Sequence, residues 1–472
     1  MEAMATTRTP WTRDDDRSPF WLLSVARDFV DRLAGSSPAR LALITFACIV
    51  LVFTGLLSLP LATTSGQSTP LHDSLFTAVS AVCVTGLTVV STATHWSAFG
   101  QVVILLAIQI GGLGVLTLAS ILAMAVSRRL GVRGKLIALE EMNIGRLGEV
   151  GALLRIVVTT SVSIELAIAL ILAPRFMMLG ESVGQALWHA VFYAISAFNN
   201  AGFTPHSDGI VPYGEDLWIL LPLMAGVFIG SLGFPVIMVL LFTRARFHAW
   251  TLHAKLTVEV SVILLVVGSI AWGAFEWSNP GTIGSMSTPD KILHAVFASV
   301  MTRSGGFNLV DMNHLDQTSI LVTDALMFAG GGSASTAGGI KVTTIAVVVL
   351  AIVAEARGDA DVRSHGRTIP PSVMRVAMAV IAISATMVMV ATAVLLQISG
   401  QSLDRVLFEV ISAFATCGLS NGLSAELPPA GKDVLSVLMF LGRMGPITVS
   451  TALALRQRRT LYHFPEERPI LG

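Results

Sequence analysis

The chain has 472 residues, 53% of them hydrophobic and 13% charged, with a formal net charge of zero. Soluble domains carry about 25% charged residues, so this composition, with a mean hydropathy of +0.75, excludes a soluble globular protein and places the chain among polytopic membrane proteins. A neutral chain has no general attraction to nucleic acid or to an acidic partner, and the three cysteines (Cys48, Cys83, Cys417) sit in apolar segments without the spacing of a disulfide framework or zinc site.

Residues 1–39 mix Arg, Asp, Ser and Pro around the patch "PFWLLSVARDFV". Arg27 and Asp28 interrupt its apolar run, and no small-residue cleavage site follows, so it reads as a surface-lying amphipathic helix rather than a signal peptide. Eight runs then approach the roughly 20 apolar residues that a bilayer crossing requires. They are Leu41–Leu61, Phe99–Val126, Leu153–Ala173, Leu217–Phe242, Leu256–Phe275, Ile320–Ala354, Val373–Ile398 and Val434–Leu455. Most basic residues fall in the N-terminal arm, around Arg128–Lys135, Arg244–Lys255 and Arg357–Arg375, and at Arg456–Arg459; Arg175, Lys291, Arg405 and Lys432 fall on the opposite side. The excess of Lys and Arg marks the cytoplasmic face, so both termini are expected to be cytoplasmic. The outer loops carry Asp208, Glu215, Asp216, Asp311 and Asp316, either to concentrate cations at an entrance or as ordinary solvated loop residues.

Between the runs of each successive pair lies a half-length apolar stretch. The four read "LFTAVSAVCVTGLTVV", "VFYAISAFNNAGFTPH", "VFASVMTRSGGFNLVD" and "LFEVISAFATCGLSNG". Each begins with an apolar residue and Phe (Phe76, Phe192, Phe297, Phe408) and reaches a glycine (Gly86, Gly202, Gly306, Gly418); the third is one residue shorter. Non-helical backbone at membrane depth is tolerated only where protein buries it or it lines a watery cavity. Four copies predict an all-α integral membrane protein of four pseudo-fourfold repeats. Each would be a transmembrane helix, a re-entrant pore half-helix, a filter segment and a second transmembrane helix, giving eight spans and four half-helices. The repeats occupy 40–130, 150–246, 255–357 and 370–460, with a tail at 461–472. Glycine permits the dihedrals that aim successive carbonyls one way, and rings of carbonyls replace an ion's hydration shell in potassium channels. The predicted ion-binding residues are Val84-Thr85-Gly86, Asn200-Ala201-Gly202, Ser304-Gly305-Gly306 and Thr416-Cys417-Gly418. For the glycines of "IGGLGVLT" in the second run, close helix packing is the better reading.

The sixth run contains "FAGGGSASTAGGIKVTT", Phe328 to Thr344. Its small residues, Gly330, Gly331, Gly332, Ser333, Ala334, Ser335, Thr336, Ala337, Gly338 and Gly339, will break a helix. A phosphate-binding loop is excluded, because Ile340 separates Gly339 from Lys341 and Val342 follows. The expected role is a flexible constriction below the filter. Arg443, in "FLGRMGPITV", lies at membrane depth, where a charge is paired or lines a water-filled path; carbonyls of the 330–339 loop are the expected partners. It reads as an electrostatic barrier and loop anchor, or as a structural arginine pinning helix ends. Arg303 is expected to hold carbonyls or an acid from behind the filter. His189 and His294 occupy matching positions before the second and third half-helices, where an interfacial structural role is favoured over metal binding. No enzymatic constellation is present.

These motifs resemble the Trk/Ktr/HKT superfamily of potassium transporters, from about Ala39 to the C-terminus, and come closest to the KtrB-type membrane subunit of Ktr systems. The resemblance implies potassium uptake across the cell (inner, cytoplasmic) membrane, with the Gly-rich loop, Lys341 and Arg443 as gate. It implies a homodimer, a cytoplasmic RCK-type nucleotide-binding regulatory subunit (KtrA-like), K+ at the filter and stimulation by Na+. Sodium-preferring plant relatives carry serine at the first filter glycine, so Gly86 matches the potassium-selective pattern; Ser304-Gly305-Gly306 departs from the Thr-Ala-Gly of many relatives. Two alternatives stay open: a proton-coupled Trk-type symporter, with Glu165, Glu259 and Glu409 as candidate proton carriers, and a sodium-permeable HKT-like pore.

Overall fold

The computed structural model describes residues 38–114, 150–243 and 246–445. The N-terminal arm with its amphipathic patch, the basic loop at 128–135, the C-terminal tail and the far ends of the second and eighth apolar runs lie outside the described residues.

Helices dominate. In chain order they are α1 (Pro38–Leu57), α2 (Leu71–Val82), α3 (Ala98–Gly112), α4 (Val150–Met178), α5 (Val183–Phe198), α6 (Leu217–Leu232), α7 (Phe234–Thr243), α8 (Leu252–Glu276), α9 (Thr288–Met301), α10 (Gln317–Phe328), α11 (Val342–Arg357), α12 (Pro371–Ser399), α13 (Leu403–Ala415), α14 (Leu423–Glu426) and α15 (Pro429–Met444). A hairpin of β1 (Arg363–Ser364) and β2 (Arg367–Thr368) sits between α11 and α12. Start signals are local. Ser97, Ser182, Thr251 and Ser287 each accept the backbone N–H three residues on, at the heads of α3, α5, α8 and α9. Asp216 and Asp316 cap α6 and α10 by accepting the backbone N–H two residues on.

Among the described residues, α4 from Arg155, α8 and α12 are each long and apolar enough to cross a membrane, and α6 with α7 make a bent pair. Their outward faces carry exposed apolar side chains such as Leu166, Ile263, Ile270 and Met389, which suits contact with lipid tails rather than water. The core lies inside, and α2, α5, α9 and α13 contribute their buried phenylalanines Phe76, Phe192, Phe297 and Phe408 to it.

The helix contacts close into a ring. The helix after each short helix packs on the next short helix: α3 on α5, α6 on α9, α10 on α13, and α15 back on α2. An ion pair between Lys432 Nζ and Asp73 Oδ1, 2.7 Å apart, ties the start of α15 to the start of α2.

Three of the apolar runs expected to be continuous are not. The fourth bends by 102° between Leu232 and Phe234. The described helix of the second run stops at Gly112 and that of the eighth at Met444. The cause is one pattern used three times: Gly111-x-x-Gly114, Gly230-x-x-Gly233 and Gly442-x-x-Gly445. The trailing glycine has φ of +87°, +92° and +80° respectively, a conformation open to glycine and hostile to side chains. The leading glycine admits close approach. A side-chain carbon on Gly111, Gly230 or Gly442 would run into the carbonyl of Val82, Phe198 or Phe414. Each of these carbonyls belongs to the end of a short helix, so the packing reading of "IGGLGVLT" holds. The sixth run is broken as expected, between α10 and α11.

Candidate functional site: a ring of four glycine segments

Each short helix ends in a segment built the same way. Two residues before the repeat glycine, a non-glycine residue takes the left-handed conformation: Val84 (φ +56°), Asn200 (+60°), Ser304 (+78°) and Thr416 (+46°). The glycines themselves are also left-handed, at +95°, +68°, +72° and +93° for Gly86, Gly202, Gly306 and Gly418. A β-branched residue at positive φ is a true outlier. Such strain costs of order 1–3 kcal/mol per residue and persists only where the surroundings enforce it. It recurs here at four equivalent positions.

A serine supplies part of that enforcement in three copies. Ser80 Oγ donates to the Leu87 carbonyl (2.7 Å) and accepts from Gly86 N–H (3.1 Å). Ser196 Oγ donates to the Phe203 carbonyl (2.8 Å), and Ser412 Oγ accepts from Gly418 N–H (3.1 Å). Each serine stands six residues before its glycine. Val300 holds that position in the third copy, where the Gly306 N–H turns instead to the Met301 carbonyl (3.4 Å).

The four segments meet in cyclic order. A side-chain carbon placed on Gly86 would collide with the Ala201 carbonyl. One on Gly202 would lie 3.2 Å from the Gly305 oxygen, one on Gly306 would lie 2.7 Å from the Cys417 oxygen, and one on Gly418 would collide with the Thr85 oxygen. The residue between the two left-handed positions thus sends its carbonyl against the preceding segment's glycine, all the way round. A hydrogen bond from Ser304 Oγ to the Thr416 carbonyl (2.7 Å) joins the third and fourth segments. All twelve expected ion-binding residues come together in this ring, and only Gly86 and Gly202 among them are less than fully buried.

The Gly-rich loop lies against the same assembly. Thr336 Oγ1 lies within hydrogen-bond distance of the Phe198 carbonyl (3.3 Å) and of Asn200 Oδ1 (3.2 Å), and donates to one of them; a side-chain carbon on Gly338 would strike Thr416. Gly330, Gly331 and Gly332 are buried, with Gly332 N–H on the Ser231 carbonyl (2.7 Å). Ser333 and Ala334 turn at the α6–α7 break, where Phe234 N–H donates to the Ala334 carbonyl (3.1 Å). Ser335 Oγ closes back on the Gly332 carbonyl (2.7 Å), and Lys341 Nζ donates to the Ala337 carbonyl (2.7 Å). Gly339 packs on Ala415 at the end of α13. Arg443 donates to the Thr336 carbonyl and, through Nη2, to the Gly111 carbonyl at 2.6 Å. One of these partners is the expected loop carbonyl, Thr336; the other, Gly111, is on α3.

Arg303 does not reach the ring. It is buried and donates to the Ser261 carbonyl (2.6 Å) and Ser261 Oγ (3.0 Å) on α8, with its guanidinium over the Phe228 ring. It holds a helix behind the third segment rather than the segment's own carbonyls. The candidate proton carriers separate as well. Glu165 accepts from Gln109 Nε2 (3.0 Å) and Asn199 Nδ2 (3.0 Å), one residue from the second segment. Glu409 is buried and accepts from Ser420, Asn421 and Ser424. Glu259 pairs with His365 of the hairpin at 2.8 Å. Of the outer acids, Asp216 and Asp316 cap helices, Asp311 caps a short turn and Asp216 also pairs with Arg175 at 2.6 Å; for these three the reading as ordinary structural loop residues is the better one. The matched histidines part company: His294 is buried and bonds to the Asp290 carbonyl (2.9 Å), whereas His189 meets Glu181 and His206. Burial, then the neighbouring His189, holds His206 below the usual histidine range.

Lipid-facing apolar helices around a buried, strained polar backbone ring define a membrane transporter rather than a receptor or anchor. Comparison with known proteins agrees. Residues 39–460 match the TrkH family model, described as "Cation transport protein". The Ktr system potassium uptake protein B of Vibrio alginolyticus is 38% identical over 445 residues, covering 94% of this chain and 96% of that protein. The protein of the same name from Bacillus subtilis is 36% identical over 451 residues, covering 95% and 100%. The crystal structure of the potassium transporter TrkH from Vibrio parahaemolyticus superposes with a TM-score of 0.67 at 18% identity, covering 87% of this chain and 84% of that one. The chain belongs to the TrkH/Ktr family of cation transport proteins.

Proposed function

We propose that the chain takes up potassium ions across the cytoplasmic membrane as the membrane subunit of a Ktr-type system. Its architecture in this reading is four repeats, eight spans with three of them kinked or broken at glycine pairs, and four re-entrant half-helices. The central path is the ring of Val84-Thr85-Gly86, Asn200-Ala201-Gly202, Ser304-Gly305-Gly306 and Thr416-Cys417-Gly418. The observation that carries the reading is the cyclic contact of the Thr85, Ala201, Gly305 and Cys417 carbonyls with the four glycines. Four inward backbone oxygens of one layer replace a cation's hydration shell. The short helices also point their negative C-terminal ends at the same place.

The gate is the loop Gly330–Gly339 with Lys341 and Arg443. Its support is the set of bonds joining the loop to Arg443, to the α6–α7 break and to the second ring segment. Two cationic side chains bonded to this loop, Lys341 and Arg443, raise an electrostatic barrier to a cation until the loop moves. Two copies of the chain form a homodimer, and an RCK-type nucleotide-binding subunit docks on the basic cytoplasmic face, with both termini on that side. Sodium stimulates transport without being the main cargo.

Expression in a bacterial strain unable to take up potassium tests this. Growth is expected at low potassium, faster with sodium present and unchanged across moderate external pH. Sodium accumulation without potassium rescue would overturn the assignment. Contact of Glu165 with Asn199, beside the second segment, keeps one rival specific: a proton-coupled symporter, marked by rescue that rises as external pH falls and that Glu165→Gln abolishes.

A further inference from the structure

Glu181, His189 and His206 lie outside the ring and take no part in it. Glu181 sits in the turn between α4 and α5, His189 in the second turn of α5, and His206 in the loop that follows Gly202. Their ligand-capable atoms all lie within 4.8 Å of one another. Glu181 Oε2 is 2.8 Å from His189 Nδ1, and Glu181 Oε1 is 3.2 Å from His206 Nε2.

The surrounding hydrogen bonds allow His206 to offer Nε2 as a ligand. The Tyr193 hydroxyl stands 3.2 Å from the Gly209 carbonyl and 2.9 Å from His206 Nδ1. With its single hydrogen on the Gly209 carbonyl, Nδ1 carries the ring proton and donates to the phenol oxygen. In that tautomer the ring turns a bare Nε2 lone pair toward a carboxylate oxygen 3.2 Å away. Two acceptors at that distance attract a positive charge between them. An ion that shares them also takes in the His189 nitrogen.

We propose that Glu181, His189 and His206 form a binding site for a divalent transition metal of the zinc class. Zinc takes imidazole nitrogen and carboxylate oxygen at about 2.0–2.2 Å in a tetrahedron, which sets its ligand atoms about 3.4 Å apart. The two separations, 2.8 and 3.2 Å, open by about 0.6 and 0.2 Å to reach that geometry. Tyr193 plays the outer partner that a ligating histidine uses to fix its tautomer. Tyr213 Oη, 3.4 Å from His206 Nε2, borders the fourth position. The three side chains keep 18%, 18% and 20% of their surface exposed, so an ion can enter from the loop side. A bound metal would staple the loop leaving Gly202 to the helix that leads into it. A purely structural triad would use the same contacts with a proton in place of the metal.

Calorimetric titration of chelator-stripped, full-length protein in detergent with zinc chloride separates the two. Wild type is expected to bind about one ion per chain with two imidazoles in its X-ray absorption fine structure. His206→Ala is expected to bind at least ~10-fold more weakly, as is Glu181→Gln. The glutamine keeps the shape of the carboxylate, so it reports on the metal even if His206→Ala fails to fold. Absence of saturable zinc binding by wild type, or equal binding by Glu181→Gln and wild type, overturns the proposal.

Discussion

Gly86→Ser is the most informative single substitution. Gly86 sits at φ +95°, and a side-chain carbon there meets the Ala201 carbonyl and comes within 3.3 Å of Gly202 Cα. The serine must therefore either adopt a conformation costing of order 1–3 kcal/mol or push the Ala201 oxygen out of the carbonyl layer. The protein will take the cheaper route, so the strain caps the discrimination that can be lost. At about 1.4 kcal/mol per factor of ten, the preference for rubidium over sodium is expected to fall by about 5- to 150-fold. Tracer uptake of both ions into proteoliposomes measures it, with the thermal midpoint as a control for folding. An unchanged preference in a folded variant refutes the reasoning, because it would mean the ring oxygens do not choose the ion.

Other substitutions probe the remaining parts. Arg443→Gln removes charge-assisted bonds to the Thr336 and Gly111 carbonyls, worth about 1.5–3 kcal/mol each; it should raise basal ion leak in proteoliposomes, and a leak equal to wild type would deny the loop its anchor. Ser412→Ala should cost about 0.5–1.5 kcal/mol and blunt selectivity, while Val300→Ala, at the copy without the serine, should leave selectivity alone in the same flux assay. Gly442→Ala would drive a carbon into the Phe414 carbonyl and should lower the thermal midpoint markedly. Gly55→Ala, with nothing within 4 Å, should leave the midpoint level or raise it, by up to about 1 kcal/mol in stability.

The four glycines, the broken sixth run and the partner of Arg443 were legible in the sequence because each follows from a residue type with few alternatives. Glycine marks a special backbone, and a buried guanidinium demands carbonyls. The left-handed Val84, Asn200, Ser304 and Thr416 were not legible, since nothing in valine or threonine announces positive φ; tertiary packing imposes it. The straps of Ser80, Ser196 and Ser412 carried a signal, the same residue six places before the glycine in three copies, hidden among apolar helix residues. The Gly-x-x-Gly breaks were masked by hydropathy, which reads "IGSLGFPV" as continuous span. Arg303 turned to Ser261 because a buried guanidinium needs an acceptor, and α8 supplies both a carbonyl and a hydroxyl there. The Glu181–His189–His206 cluster joins residues from a turn, a helix and a loop, and no linear spacing brings these together.

The central claim is that cations pass through one layer of carbonyls contributed by Thr85, Ala201, Gly305 and Cys417. Anomalous diffraction from crystals grown in rubidium or thallium tests it directly. The account predicts an anomalous peak on the axis of that ring, lost when sodium replaces the heavier ion. A ring without the peak, with the ion bound at another place in the membrane interior, would contradict it.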